Sequence, residues 1–224
     1  LAESKLVIFD CDGVLVDSET IALRIELAAL AELGHPIGAD EFRRRAVGRS
    51  SEDVEAMLAS LWDGVLPTDF SERVRAATLA AFTTELQPVP GIGAVLAGLG
   101  RCRRCVASSS RPSRIARALD LTGLGGYFGP HVFSAVEVAR GKPAPDLFLH
   151  AAARMDTPVG QCLVIEDSVP GITAAKAAGM EAAGFTAGGH CPAGHGAELR
   201  AAGADVVAAD GEALAGLVAD WLGR

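Results

Sequence analysis

Leu6-Val7-Ile8-Phe9-Asp10-Cys11-Asp12-Gly13-Val14-Leu15-Val16-Asp17-Ser18 runs four apolar residues into a pair of acids, and its reading decides the fold. A continuous rather than alternating apolar run suits a strand covered on both faces, hence a strand of a parallel sheet. Such runs recur at Cys105-Val106-Ala107, His131-Val132-Phe133, Leu163-Val164-Ile165, more weakly at Glu181-Ala182-Ala183-Gly184, and at Asp205-Val206-Val207. Helical patterns separate the later ones, over Pro112 to Leu119, Pro145 to Met155, Gly171 to Ala178 and Gly211 to Trp221. Strands alternating with helices over this length predict an α/β fold on a doubly wound, Rossmann-like parallel sheet.

Just past Asp17 the alternation stops. Between Asp17 and Pro88 only helical patterns remain, at Ser18 to Leu33, Ser51 to Leu61 and Phe70 to Leu86, punctuated by Gly34, Pro36, Gly64 and Pro67. Leu23, Leu27 and Leu30 share one stripe of the first. Residues 17–87 are therefore expected to form an all-helical domain inserted into an α/β core of residues 1–16 and 88–224. Gln87-Pro88-Val89-Pro90-Gly91 reads as a stiff return linker.

Half of the 224 residues are apolar and 21% charged, which suits a globular protein with a real core. The formal net charge of -8 argues against broad binding of nucleic acid or acidic membranes. A small phosphorylated metabolite remains compatible, because a site can be locally positive. No stretch approaches the roughly 18–20 apolar residues of a membrane span. The apolar run before Asp10 is too short for a secretory segment, so a cytoplasmic location is expected. The sequence specifies no oligomeric state. Cys11, Cys102, Cys105, Cys162 and Cys191 form no framework and no zinc spacing, and read as structural or incidental thiols.

In an open α/β sheet, ligands sit beyond the carboxyl ends of the strands. Those ends carry Asp10 and Asp12, then Ser108-Ser109-Ser110, then Gly141-Lys142-Pro143, then Glu166-Asp167-Ser168. Asp10 and Asp12 flank one residue at the end of the strand and are expected to point to opposite sides. One carboxylate can then attack phosphorus while the other handles the leaving-group proton. Several carboxylates and a phosphate in one pocket would repel without a cation, and hard oxygen donors suit Mg²⁺. Asp10, Asp167 and the Asp12 carbonyl can supply its ligands. Lys142 and the Ser108 hydroxyl would neutralise and orient the transferring group.

Asp10-x-Asp12-Gly13-x-x-x-Asp17-Ser18, Ser108, Gly141-Lys142-Pro143-x-Pro145-Asp146 and Glu166-Asp167-Ser168-x-x-Gly171 resemble the four motifs of the haloacid dehalogenase-like hydrolase superfamily. The match is to its helical-cap phosphatase and β-phosphoglucomutase-like branch, with residues 17–87 where that branch carries its cap. The resemblance implies Asp10 as nucleophile forming an aspartyl-phosphate, and Asp12 as general acid and then base. It implies Ser108 and Lys142 on the phosphoryl group, with Ser109 beside them. Mg²⁺ would rest on Asp10, the Asp12 carbonyl and Asp167, with Glu166 as ligand or immediately behind one. An acid at position 12 disfavours dehalogenation, which has no oxygen leaving group to protonate. Mutases of the β-phosphoglucomutase type usually carry a His shortly after the first motif. None lies between Asp10 and Leu33, so a phosphosugar mutase is the alternative rather than the leading reading. A non-enzymatic phospho-acceptor or binding protein ranks lower still, because such receiver domains are about half this length and lack a helical insertion.

Asp17 and Ser18 read as the N-cap region of the first inserted helix, and Asp146 as an acid in the first turn of another. Arg43, Arg44 and Arg45 read as a solvated helix face. Arg49, in the turn Val47-Gly48-Arg49-Ser50-Ser51, is assigned to substrate binding, since in capped relatives this turn faces the active site. Arg111 reads as a helix start. The five histidines share no ligand spacing and read as structural or exposed.

Overall fold

Strand β1 (Leu6–Phe9) is buried along its whole length, and parity divides its side chains between two cores. Val7 and Phe9 point into one apolar cluster, Leu6 and Ile8 into another on the opposite face. The computed structural model describes residues 5–46, 49, 51–62 and 66–223. Five further strands join β1: β2 (Arg103–Ser108), β3 (Val132–Ser134), β4 (Cys162–Glu166), β5 (Glu181–Phe185) and β6 (Val206–Ala208). Their order is β3-β2-β1-β4-β5-β6, and every pairing is parallel. This is the doubly wound arrangement expected from the sequence.

Helices cover both faces of the sheet. Helices α5 (Ile92–Gly98), α6 (Pro112–Leu121) and α10 (Gly211–Gly223) pack on the Val7/Phe9 side through Ile92, Leu96, Ile115, Leu119, Leu214 and Trp221. Helices α7 (Asp146–Arg154), α8 (Val169–Ala177) and α9 (His195–Ala201) pack on the other through Leu147, Phe148, Ile172, Ala175 and Leu199. Burying one such large side chain contributes about 1.5–3 kcal/mol, so both layers are needed to hold the central strands.

Among the described residues, four helices stand between β1 and α5: α1 (Glu19–Glu32), α2 (Ala39–Ala46), α3 (Ser51–Leu61) and α4 (Phe70–Glu85). They share a third apolar cluster around Leu30, Phe42, Leu58, Phe70 and Val74. Their inner ends also reach the main core, through Ile21 of α1 and Phe82 of α4. The chain enters and leaves this bundle side by side. Asp17 N–H donates to Gln87 O at 2.9 Å, and Val16 bridges Pro88 antiparallel.

Two elements differ from the pattern in the sequence. Strand β2 begins two residues before its apolar run, because Arg103 and Arg104 pair with Leu6 and Val7 of β1. Arg104 Nη1 donates to Leu96 O at 2.8 Å. Helix α5 holds two glycines and little local helical signal, and forms because Ile92, Val95 and Leu96 are buried on the sheet. Of the basic run on α2, Arg44 and Arg45 are exposed as expected, whereas Arg43 is largely covered and paired with Asp40 at 3.5 Å. All five cysteines are free, and Cys105 and Cys162 lie buried in their strands. Among the described residues no helix is long and apolar enough to cross a membrane.

Candidate active site

Strand order switches between β1 and β4, and the crevice beyond their carboxyl ends collects the acids. Asp10 N–H continues the ladder onto Ile165 O at 3.0 Å, which sets the residue beside Glu166 and Asp167. Parity turns the Asp10 carboxylate to the side covered by α7 and α8. There Lys142 Nζ donates to Asp10 Oδ1 at 2.5 Å, to Glu166 Oε1 at 2.7 Å and to Ala107 O at 3.2 Å. The other oxygen of Glu166 accepts from the N–H and the hydroxyl of Ser168, both at 2.8 Å. Ser168 also caps α8 by accepting from Gly171 N–H. Gly171 gives Glu166 its room: a Cβ there would lie 1.9 Å from the Glu166 Oε1.

Asp10, Glu166 and Asp167 each offer an oxygen within 4.8 Å of the others, and all three are buried. The one ammonium pairs with two of these carboxyls, Asp10 and Glu166. Burial, opposed by Lys142 and reinforced by the neighbouring acids, pushes the Asp10 carboxyl well above the usual carboxylate range. Burial likewise raises Glu166 against the pull of Lys142. Burial opposes the charged form of Lys142, but Asp10 and Glu166 outweigh it and raise its pKa. Asp167 Oδ2 is buried and lacks a hydrogen bond of proper geometry, although His190 Nε2 stands 2.7 Å away. Three buried acids against the Lys142 ammonium and the His190 imidazole leave an excess of negative charge that fits a hard divalent cation.

Asp12 faces the other way. Its Oδ1 accepts from the Ser18 hydroxyl at 2.6 Å and from Arg114 Nη2 and Nε at 2.9 and 3.2 Å. Its Oδ2 accepts from the Ser110 hydroxyl at 2.7 Å and, at 3.4 Å, from that of Ser108. Burial alone would raise this carboxyl, but Arg114, Ser18 and Ser110 hold it below its ordinary value. The two acids of the first motif therefore differ in charge environment as well as in direction.

The remaining expected residues fall around this centre. Ser108 ends β2, and its hydroxyl accepts from Ser110 N–H at 3.0 Å. Ser109, Lys142 and Arg49 line one cavity beside Gly141. Arg49 is exposed, while residues 47, 48 and 50 of its turn lie outside the described residues. Ser18 stands at the N-cap of α1, yet its hydroxyl makes no capping bond, because it is committed to Asp12. Asp17 instead accepts from Gly189 N–H at 3.0 Å. Asp146 sits in the first turn of α7, held by Arg140, and Arg111 stands at the start of α6.

Sequence reasoning missed Arg114, Ser110 and two histidines. His190 is not a detached structural residue: it meets Asp167 Oδ2, and Asp167, with Cys191 beside it, lifts its pKa to about 11 against the opposing effect of burial. His195 Nε2 lies 2.5 Å from the Asp167 carbonyl. No spacing rule marks these residues; the Gly188-Gly189 pair before His190 was the available signal. A Cβ at Gly188 would lie 2.9 Å from Gly13 O, and one at Gly189 would lie 2.9 Å from Asp17 Oδ2.

Known proteins resemble this chain in sequence and fold. A family model described as haloacid dehalogenase-like hydrolase matches residues 4–179. The 6-phosphogluconate phosphatase of Escherichia coli K12 is 32% identical over 183 residues, covering 81% of this chain and 82% of its own. Fructose-1-phosphate phosphatase YqaB of the same organism is 32% identical over 189 residues, covering 79% and 93%. The crystal structure of the haloacid dehalogenase-like protein ATU0790 from Agrobacterium tumefaciens superimposes with a TM-score of 0.84 at 35% identity, over 96% of this chain and 98% of that one. By this match across most of its length and by these relatives, the chain belongs to the haloacid dehalogenase-like hydrolases and is one of their phosphatases.

Proposed function

We propose that the protein is a Mg²⁺-dependent phosphomonoesterase acting on a small phosphorylated metabolite of the sugar phosphate class, through an aspartyl-phosphate on Asp10. The observation that carries this reading is the opposed placement of the two acids. Asp10 points into the buried cluster with Lys142, and Asp12 points away from it onto Arg114, Ser18 and Ser110. One acid can therefore attack phosphorus while the other reaches the oxygen that leaves on the far side, the in-line geometry of phosphoryl transfer.

In the first step an Asp10 oxygen forms the bond to phosphorus as the ester P–O bond breaks; Asp12, held ionised by Arg114 in the absence of substrate, takes up a proton as the anionic substrate enters and gives it to the departing oxygen. In the second, water attacks the aspartyl-phosphate, Asp12 takes the water's proton, and Asp10 is released. Lys142 holds Asp10 in place and offsets charge on the transferring group, joined by the Ser108 and Ser109 hydroxyls. Asp10, Asp167 and the main-chain carbonyl of Asp12 would hold Mg²⁺. Both Glu166 oxygens are already taken, by Lys142 and Ser168, so we read Glu166 as the anchor of Lys142. When bound, the ion supplies the positive charge that lets the carboxylates and the phosphate share one pocket.

Residues 17–87 act in this reading as a cap that admits substrate and then excludes bulk water, with Arg49 on its inner side. Mutase chemistry is disfavoured by a first inserted helix without histidine. The test is direct. Asp10→Asn should abolish Mg²⁺-dependent phosphate release from an aryl phosphate, and full activity in that variant would sink the mechanism.

A further inference from the structure

Arg114, the third residue of α6, meets three groups with one guanidinium. Its Nε and Nη2 donate to a single oxygen of Asp12, Oδ1, at 3.2 and 2.9 Å. Nη2 also comes to 4.0 Å of Glu19 Oε1, and the guanidinium carbon lies 5.1 Å from the centre of the Phe82 ring. Glu19 is the first residue of α1 and Phe82 stands near the end of α4, so these two contacts belong to the inserted helices. Glu26, two turns further along α1, adds only a more distant charge.

Two bonds to one oxygen leave the guanidinium free to pivot about it, unlike a fork that grips both oxygens. A donor aims an acid only when something other than that acid holds the donor. Glu19 holds Arg114 by charge, and Phe82 holds it by the face of its ring. An acid in the first turn of a helix ordinarily serves the helix dipole, and can do so in solvent. Glu19 is instead turned inward: its side chain is 18% exposed, beside Arg114 at 23%. Covering a carboxylate is costly unless it faces a counter-charge, and Arg114 is the cation within ion-pair reach of it among the described residues.

We propose that Glu19 is a positioning residue for proton transfer: by sharing Arg114 with Asp12, it fixes the guanidinium that aims the Asp12 carboxylate at the leaving oxygen. This rests on the phosphatase reading above, in which Asp12 handles that proton. Glu19 itself touches neither the phosphorus nor the leaving oxygen in this role. A misaimed acid matters only where the departing oxygen needs its proton. Phenolate is a poor leaving group and needs one as its bond to phosphorus breaks, whereas p-nitrophenolate carries its charge well enough to depart without. Loss of Glu19 is therefore read in the difference between two esters of nearly one shape.

The test compares kcat/KM of the purified chain with Mg²⁺ on phenyl phosphate and p-nitrophenyl phosphate. Glu19→Gln, which keeps the volume of the side chain and removes its charge, should lower the phenyl value about tenfold more than the p-nitrophenyl value. Glu19→Asp, which keeps the charge one methylene further back, should change the ratio in the same direction by less. Neither ester offers a hydroxyl, so a Glu19 that served only to bind hydroxyls of a substrate would leave the ratio where it was. Equal losses on both esters, or none, overturn the inference and leave the phosphatase intact. Either variant decides this alone, should the other fail to fold. Hydrolysis of neither ester by the unaltered protein overturns the phosphatase reading and this inference together.

Discussion

Asp12 is surrounded by donors that no local pattern announces. Arg114 lies 102 residues further along the chain and supplies two of the bonds to its Oδ1. Arg114→Met should cost about tenfold to a hundredfold in kcat/KM toward every ester, because a general acid contributes only when it is aimed. Steady-state kinetics on the aryl phosphate would show this, and an unchanged value would remove Arg114 from the proton-handling group. His190 makes a different prediction, about stability. Its pKa rises from 6.5 to about 11, because the pairing with Asp167 exceeds the cost of burial. A raised folded pKa stabilises fully below the unfolded value and is lost as pH climbs toward the folded one. In chelator, the difference in thermal midpoint between the unaltered protein and His190→Ala should thus be largest below pH 6.5 and shrink between 6.5 and about 11. A difference that grows with pH would contradict the pairing.

At the scale of elements, the glycines that matter are those where a strand end and a helix start come within contact of each other. Helix α8 begins immediately over the end of β4, and at Gly171 even one methyl would overlap the Glu166 carboxyl. Gly171→Ala should lower unfolding free energy by about 1–3 kcal/mol, the ordinary cost of overpacking, and displace the anchor of Lys142. In α5, by contrast, a Cβ at Gly93 meets nothing within 4 Å. Gly93→Ala should be neutral or stabilise by up to about 1 kcal/mol through the unfolded chain. Urea denaturation of the two variants side by side checks both. Strand positions were legible because a strand buried on both faces is apolar through its middle, as β1 is throughout and β4 is up to Glu166 at its carboxyl end. Helix α5 was not legible, because its stability comes from the sheet beneath it rather than from its own residues.

For the whole molecule, the consequence of gathering Asp10, Glu166 and Asp167 is a charge imbalance that folding alone does not relieve. Mg²⁺ should raise the thermal midpoint, by a stabilisation of about 2.7 kcal/mol at one hundred times its dissociation constant. Asp167→Asn should remove most of that shift while leaving the protein folded. Calorimetry with and without Mg²⁺ decides it, and an undiminished shift in the variant would place the ion elsewhere. The inserted helices belong to this scale as well. Their third apolar cluster was foreshadowed by the Leu23, Leu27 and Leu30 stripe, yet only Leu30 is fully buried within it. That α1 to α4 and α6 together line the cavity holding Glu19, Glu26 and Arg114 could not be read from that stripe, since a helical period reports a face and not its neighbour.

From its residues alone the chain determined its strands, the place of its helical insertion, and the four strand-end motifs that bring acid, hydroxyl and ammonium to one edge. Those follow from local periodicity and from residue types that sit next to one another in the chain. Tertiary structure decided the rest: that Arg114 and Ser110 hold Asp12, that His190 meets Asp167, that Glu166 grips Lys142, and that Glu19 and Glu26 face a cavity. Each of those contacts depends on β1 lying between β2 and β4, with the helical bundle seated against α6. Strand order and helix packing are set by burial summed over the whole molecule, and no single segment of sequence carries that sum.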